Sequence, residues 1–341
     1  MKVNRLIIFV LVVCAMTASF ASFASAAGRM AVSHHRAANS PFDNDIKALV
    51  AKIEKATNGR VAFDVFPAST LGSYETVQER VSIGDVASQF APLAMQTDRK
   101  LGVSWFPYLA VNLKEAKALY GQNGLVRNML IDLLRKQDLI TIATWPAGIG
   151  GICVSKNLPN ANDPFNAIRG LKIRVMANKV NEYVYNDVLH SVATGMAWGE
   201  LFTALQTGVL DGLQGCASAE SAYVMFRDVI KYYLCYPDHY ESFYFVINKD
   251  IWDKIDKDDR DTVLKLCAEM EEQRWEQIAV DESNYRKKLA ESGVQVITYK
   301  DDDMMKIRDI VSKECWPKVY NEVPKDMQDK IIAELKKISK E

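Results

Sequence analysis

Two hydrophobic patterns alternate along most of the chain. Short runs rich in β-branched and aromatic residues predict strands at 61–66, 139–144, 172–175 and 243–247. Longer segments with apolar residues at every third or fourth position predict helices at 42–57, 116–136, 180–189, 200–208 and 257–292. Strands that alternate with helices are typical of an α/β fold, and we expect largely parallel sheets.

The helix predicted at 257–292 is far longer than a usual globular helix, because this stretch has no Pro or Gly. Such a rod can brace two domains. No linker or repeat divides the chain, so we expect it to cross between domains by strands or short hinges. We predict a domain I of 27–147 with about 241–270, and a domain II of 148–240 with about 285–341.

The first residues, 1–26, have the pattern of a cleavable signal peptide. Lys2 and Arg5 precede an apolar run, and small residues at 24–26 suit a peptidase. The run is too short to span a bilayer comfortably. We therefore expect export to the periplasm, with a lipoprotein anchored at Cys14 as the less favoured alternative, since Val13 is bulky.

Charge and motif content exclude several functions. The formal net charge is −1 and no long basic stretch occurs, which argues against a nucleic-acid partner. No GxSxG, HExxH, P-loop or GxGxxG motif is present, so we expect no enzyme activity, no cofactor and no metal. A periplasmic enzyme would need a nucleophile or an acid–base pair in its cleft.

The cysteines beyond the signal peptide form no CxxC motif, so we expect small core residues or at most one or two disulfides, with the pairing undetermined. They are Cys153, Cys216, Cys235, Cys267 and Cys315.

Arg174 lies inside the predicted strand 172–175, where its apolar neighbours demand burial. A buried guanidinium needs a partner, and its planar fork suits a carboxylate. That carboxylate belongs either to the protein, with Glu200 and Asp211 as candidates, or to a ligand.

Two motifs carry a family resemblance. GLKIRV at 170–175, followed by MAWGELFTALQTGVLDG at 196–212, resembles the solute-binding proteins of tripartite ATP-independent periplasmic (TRAP) transporters. FPASTLG at 66–72 and INKDIW at 247–252 extend the likeness over the whole mature chain.

The resemblance implies a fold and a function. It implies a two-domain clamshell with an interdomain ligand cleft, in which Arg174 pairs with the carboxylate of a small organic acid. The protein would deliver the acid to a permease made of a small DctQ-like and a large DctM-like membrane subunit, and an ion gradient would drive the transport. The protein would contact the membrane only through that permease. A binding protein for an ABC importer or a sensor kinase is the alternative.

The sequence departs from the family pattern at two polar positions. Relatives that bind sugar acids often carry a second arginine where this chain has GICV at 151–154. The asparagine of the family is replaced by Gly215, with Gln214 beside it, and we place both residues in the ligand site.

Aromatic residues stand where relatives line the pocket. Trp198 matches a usual aromatic wall, Trp145 ends the strand that enters the cleft, and Phe90 replaces a polar contact of some relatives. Flat rings favour stacking on another ring. We therefore predict a monocarboxylate with an aromatic or apolar body, such as an indole or phenyl acid or an aromatic amino acid. A dicarboxylate or a sugar acid is the alternative ligand, and core packing is the alternative role for each ring.

The loop after the first strand carries the remaining candidates. His34 falls where relatives contact the ligand through a polar side chain, and Arg36 can serve as a second positive group. His34 and His35 are adjacent on an extended segment, so they point apart and cannot easily bind one metal ion. An ordinary turn with one exposed imidazole is the alternative.

Overall fold

A computed structural model describes residues 28–176, 178–196, 198–216 and 218–339. The predicted signal peptide, 1–26, and Cys14 lie outside the described residues. Among the helices that are described, none is long and apolar enough to cross a membrane.

The described strands are numbered β1 to β11 in chain order. They are β1 Met30–Ser33, β2 Phe63–Phe66, β3 Ser88–Ala91, β4 Leu139–Ile149, β5 Gly151–Val154, β6 Lys172–Val175, β7 Val192–Gly195, β8 Gly212–Cys216, β9 Tyr232–Cys235, β10 Tyr240–Asn248 and β11 Gln295–Thr298. The α-helices are α1 Pro41–Ala56, α2 Tyr74–Ser82, α3 Leu113–Tyr120, α4 Leu125–Arg135, α5 Lys179–Tyr183, α6 Leu201–Gln206, α7 Ala219–Phe226, α8 Lys249–Asp253, α9 Lys257–Glu291, α10 Asp301–Glu314 and α11 Lys325–Ile338.

The strands form two sheets, with the orders β2-β1-β3-β10-β4 and β11-β9-β5-β8-β6-β7. In the first, β10 is antiparallel to β3 and β4; in the second, β5 is antiparallel to β8 and β9. All other strands of each sheet run in one direction, so the expectation of largely parallel sheets is confirmed, with one antiparallel strand inserted in each sheet. Each antiparallel strand comes directly after a strand of the other sheet. Parallel neighbours are usually joined by a crossover helix, and neither of these two strands is preceded by one.

Most predicted helices and strands are confirmed to within a few residues. Helix α1, for example, begins after the N-cap Ser40, whose side chain accepts a hydrogen bond from the Asp43 amide. Its buried face includes Phe42, Ile46 and Ile53. Residues 180–189 start as the predicted helix but continue from Val184 to Val188 as a π-helix.

The single helix predicted at 116–136 was wrong, because two helices, α3 and α4, occupy this stretch. Gly124 is the N-cap of α4. A Cβ atom on Gly124 would lie 2.1 Å from the Leu119 carbonyl oxygen, so the chain turns here at a spacing that only glycine permits.

Helix α9 contacts elements attached to both sheets, namely α1 and β4 on one side and α7 and β11 on the other. Polar anchors hold it along its length. Arg60 pairs with Asp259 at 2.7 Å, Glu271 accepts from the Thr144 amide at 3.2 Å, and Glu282 accepts from the Ala219 amide at 3.1 Å. The helix therefore joins the two sheets as a brace.

The division into domains I and II stays a prediction. The chain passes between the sheets at Gly150, between β9 and β10, and along α9. The C-terminal helix α11, assigned by sequence to domain II, packs on α3 and α4.

Candidate functional site

Arg174 is the centre of the candidate site. It lies on β6, with 5% of its surface exposed. Its Nε donates to the Met196 carbonyl and its Nη1 to the Gln214 carbonyl, both at 3.1 Å. Within the described parts of the chain, Nη2 has no hydrogen-bond partner and no carboxylate lies within 4 Å. Burial lowers the pKa of Arg174 from its ordinary value, yet a guanidinium stays charged near neutral pH.

The two acidic residues considered as internal partners of Arg174 do not contact its guanidinium. Asp211 accepts a hydrogen bond from the Lys172 amide at 2.9 Å and lies 3.7 Å from the Lys156 ammonium. Glu200 is exposed on the turn that follows Trp198. The positive charge of Arg174 is thus left for another anion.

Gln214 and Gly215 shape the environment of Arg174 from β8. Gly215 has a φ of +97°, and a Cβ atom there would lie 2.8 Å from Arg174 Nη1. The side chain of Gln214 accepts from the Met176 amide at 3.0 Å and lies 3.3 Å from His239 Nδ1. Gln214 therefore holds the guanidinium through its main chain and the end of β6 through its side chain.

Trp198 begins the 3₁₀ turn Trp198–Glu200 and is partly exposed. Its ring centre lies 5.7 Å from the Arg174 guanidinium carbon, within cation–π range. Its other contact is an edge-to-face approach to Phe226 at 5.6 Å. Trp198 thus offers an aromatic surface beside the free charge.

The loop after β1 approaches from the other sheet. Arg36 donates from Nη2 to the Ser221 hydroxyl, on α7, at 2.8 Å, and its guanidinium lies 5.4 Å from the Phe243 ring centre. This hydrogen bond joins elements of the two sheets, so the described arrangement is closed at this edge.

His34 is buried, with Nε2 at 3.0 Å from an Asp43 carboxylate oxygen and Nδ1 without a hydrogen-bond partner in the described residues. Burial lowers the pKa of His34 more than the hydrogen bond to Asp43 raises it. His35 packs edge-on against Phe243 at 4.9 Å. Its pKa is lowered by burial and by the charge of Arg36.

Phe90 and Trp145 lie inside an aromatic core. Phe90 is fully buried, stacked on Phe245 at 4.9 Å. Trp145 is stacked on Phe243 at 5.5 Å and donates from Nε1 to the Asp45 carboxylate at 2.9 Å. These contacts fit the core-packing alternative, and a role in ligand binding stays a prediction for both rings.

Glu241 is a candidate that the sequence reasoning missed. It lies on β10 with 6% exposure, and within the described residues its carboxyl group has no hydrogen bond and no ion pair. Burial raises its pKa to about 7, although the charges of Arg36, His239 and Arg174 act in the opposite direction. The available signal was a glutamate inside the apolar run YESFYFVIN.

The site therefore combines two guanidinium groups, a buried carboxyl group and one accessible ring. Arg174, Trp198, Gln214 and Gly215 come from the second sheet, and Arg36 and Glu241 come from the first sheet and its loops. Such an arrangement can hold an anion between the two sheets.

The two mixed sheets joined by crossing strands and a brace helix are the fold of the two-domain periplasmic solute-binding proteins of TRAP transporters. The solved structure of such a protein from Desulfovibrio salexigens, with bound orotic acid, matches with a TM-score of 0.79 and 20% identity, over 92% of this chain and 99% of that chain. A sugar acid binding protein from Advenella mimigardefordensis, in complex with galactonate, matches with a TM-score of 0.78 and 23% identity, over 91% and 98%.

Sequence comparison gives the family. The family model of DctP, the bacterial extracellular solute-binding protein family 7, matches residues 32–337, and the chain belongs to this family. It is 28% identical over 291 residues to the C4-dicarboxylate-binding periplasmic protein of Rhodobacter capsulatus, covering 82% of this chain and 80% of that protein. It is 21% identical over 326 residues to the sialic acid-binding periplasmic protein of Vibrio cholerae, covering 94% and 96%.

Proposed function

We propose that this protein binds a small organic acid at Arg174 and delivers it to a TRAP membrane permease. The observation that carries the proposal is the buried guanidinium of Arg174, whose hydrogen-bond acceptors among the described residues are both neutral carbonyl groups. A buried charge without a counterion costs several kcal/mol. A ligand carboxylate would offset that cost, and it would find the free Nη2 of Arg174 as a donor.

The ligands of similar proteins support a carboxylate. The proteins compared above bind C4-dicarboxylates and sialic acid, or were solved with galactonate and orotic acid. These ligands differ in size and polarity, and the carboxylate is the group that they share. It is also the group that an arginine fork recognises best.

For the body of the ligand we propose an aromatic or apolar group, as in an indole or phenyl acid or an aromatic amino acid. Trp198 supports this choice, because its partly exposed ring lies beside the carboxylate-binding arginine. A stacked ring contributes about 0.5–1.5 kcal/mol beyond the burial of area. Phe90 and Trp145 add no such support, since their rings are covered by neighbouring protein rings. Dicarboxylates and sugar acids are the competing ligands.

The proposed cycle needs no catalytic step. After export to the periplasm, the ligand would bridge the two sheets and favour the closed arrangement only through contacts that exist there. The Arg36–Ser221 hydrogen bond, made by protein side chains, adds to those ligand contacts in the closed arrangement. The small DctQ-like and large DctM-like subunits would recognise the closed form and accept the acid.

A ligand that co-purifies with the protein can be released by denaturation and identified by mass spectrometry, which tests the ligand class directly. A thermal-shift screen of aryl acids, sugar acids and dicarboxylates complements it, because a ligand at 100 times its Kd adds about 2.7 kcal/mol of stability. Stabilisation by sugar acids or dicarboxylates alone would refute the aromatic assignment.

Arg174→Lys tests the anchor. Lysine keeps the charge but loses the fork, so we expect about a 30-fold or greater loss of affinity, equivalent to about 2 kcal/mol, with an unchanged fold. Calorimetry with the identified acid measures it. Arg169→Lys is the matched control, since Arg169 is exposed and its guanidinium donates to the Asn166 side chain, away from Arg174. Equal affinity in both variants would remove Arg174 from the site.

A further inference from the structure

Two of the buried cysteines lie side by side beneath the ligand site. Cys153 is on β5 and Cys216 ends β8, and their Sγ atoms are 3.3 Å apart. Both side chains are fully buried. The two strands are hydrogen-bonded neighbours, and Cys153 and Cys216 lie diagonally across them, since Cys153 is opposite Leu213 and Cys216 is opposite Gly151. The short Sγ–Sγ distance shows that this diagonal placement brings the two sulfurs together.

The sulfur contact coincides with an irregularity in strand pairing. Gly151 is opposite Cys216 and Cys153 is opposite Leu213, so β8 has one residue more than β5 between the same two pairs. This is a β-bulge, which bends a strand and interrupts its hydrogen bonds. The extra length contains Gln214 and Gly215, whose backbone holds Arg174 in place.

The other described cysteines have different surroundings. Cys235 lies on β9 with its sulfur 3.7 Å from the Thr298 hydroxyl, Cys267 lies on the core-facing side of α9, and Cys315 follows α10. All three are buried. The contact between Cys153 and Cys216 therefore distinguishes one pair from the rest.

We infer that Cys153 and Cys216 form an intramolecular disulfide in the exported protein, and that this bond fixes the β8 bulge that holds Arg174. The two thiols lose two protons and two electrons. The acceptor is the disulfide of a thiol–disulfide oxidoreductase, which leaves as a dithiol after a mixed-disulfide step. Because both sulfurs are inaccessible in the folded chain, the bond forms before folding is complete.

Thiol counting after export tests the bond. The full chain with its signal segment is expressed in a bacterium and recovered from the periplasm. It is then denatured without reductant in the presence of N-ethylmaleimide, which labels free thiols. We expect three adducts, on Cys235, Cys267 and Cys315, and five adducts after reduction. Peptide mapping should yield a cross-linked pair that contains Cys153 and Cys216. Five adducts without reductant, or a different cross-linked pair, would overturn the inference.

A second experiment tests for the disulfide without depending on export. The chain from residue 27, purified with reduced thiols, is unfolded and refolded in a glutathione redox buffer. The same three-adduct pattern is expected there, and its absence counts against the disulfide whatever the location of the protein. No ligand is needed, so the outcome is independent of the proposed solute.

Hydrogen exchange tests the effect on the bulge. Protein refolded with both thiols reduced, or the Cys153→Ala variant, should show several-fold faster exchange at the amides of 214–216 than the oxidised protein. Cys235→Ala is the matched control, because it removes a buried thiol from the neighbouring strand without touching the pair. Equal exchange in oxidised and reduced protein would overturn the role of the bond in fixing the bulge.

Discussion

Arg174 donates to two main-chain carbonyl groups, and both are neutral acceptors. Such acceptors orient a guanidinium without cancelling its charge, in contrast to a salt bridge. The residue is therefore fixed in direction while its charge is available. This combination of order and free charge is what a binding site for an anion requires.

Gly215→Ala should weaken binding through Arg174. The new Cβ would lie 2.8 Å from Nη1, so the guanidinium must shift away from the Gln214 carbonyl. We expect about a tenfold or greater loss of affinity for the identified acid, measured by calorimetry. Gly293→Ala is the matched control: its φ of +91° brings similar backbone strain, but no atom lies within 4 Å of its Cβ position. The same affinity loss in both would mean that backbone strain alone is responsible.

Glu241 should make the stability of the unliganded protein depend on pH. Its folded-state pKa is raised to about 7, above the ordinary 4.5. The folded state then holds a proton that the unfolded state has released, so stability is highest below the unfolded pKa and falls as pH rises through 7. The loss is on the order of 3 kcal/mol at most.

Glu241→Gln should remove this contribution, so the variant loses less stability than the parent between pH 5 and pH 8 in urea unfolding. His34 and His35, whose pKa values are lowered, act in both proteins and cancel in the comparison. Glu200→Gln is the exposed control and should follow the parent. Parallel pH profiles for Glu241→Gln and the parent would contradict the assignment.

At the scale of elements, the break between α3 and α4 shows where local periodicity misleads. The apolar spacing continues across 116–136, but Gly124 lies against the Leu119 carbonyl and starts a new helix. A helical pattern reports which positions face the core. It does not report a change in the direction of the axis, which a close backbone contact decides.

Gly124→Ala should destabilise the protein by about 2 kcal/mol or more, because a Cβ at 2.1 Å from a backbone oxygen forces the two helices apart. The free energy of unfolding in urea measures it. Gly195→Ala is the control, since no atom lies within 4 Å of its Cβ position. Similar stability of the two variants would show that the turn adapts easily.

At the scale of the whole molecule, the chain links the two sheets through the crossing from β4 to β5, the crossing from β9 to β10, and α9. The Arg36–Ser221 hydrogen bond is a contact of another kind, made by side chains on opposite sides of the candidate site. Covalent crossings persist in any arrangement of the sheets. A side-chain hydrogen bond forms only when the sheets approach.

Ser221→Ala should therefore weaken ligand binding by about fivefold, equivalent to about 1 kcal/mol for one lost hydrogen bond. The stability of the unliganded protein should change little if the open form predominates without ligand. Ser82→Ala is the control, because the Ser82 hydroxyl is exposed and donates to the Glu79 carbonyl of its own helix. Calorimetry with the identified acid decides, and an unchanged Kd for Ser221→Ala would show that this contact does not stabilise the closed form.

Local sequence alone was sufficient for the α/β class, for the long helix α9 and for an arginine buried in the strand 172–175, because hydrophobic period and helix-breaking residues are local properties. Tertiary structure decided which strands pair antiparallel, that Asp211 and Glu200 leave Arg174 unpaired, and that Phe90 and Trp145 are enclosed by other rings. It also placed Glu241 near a guanidinium 67 positions earlier in the chain. Such neighbours meet only when the sheets assemble, and no periodicity within one segment encodes them.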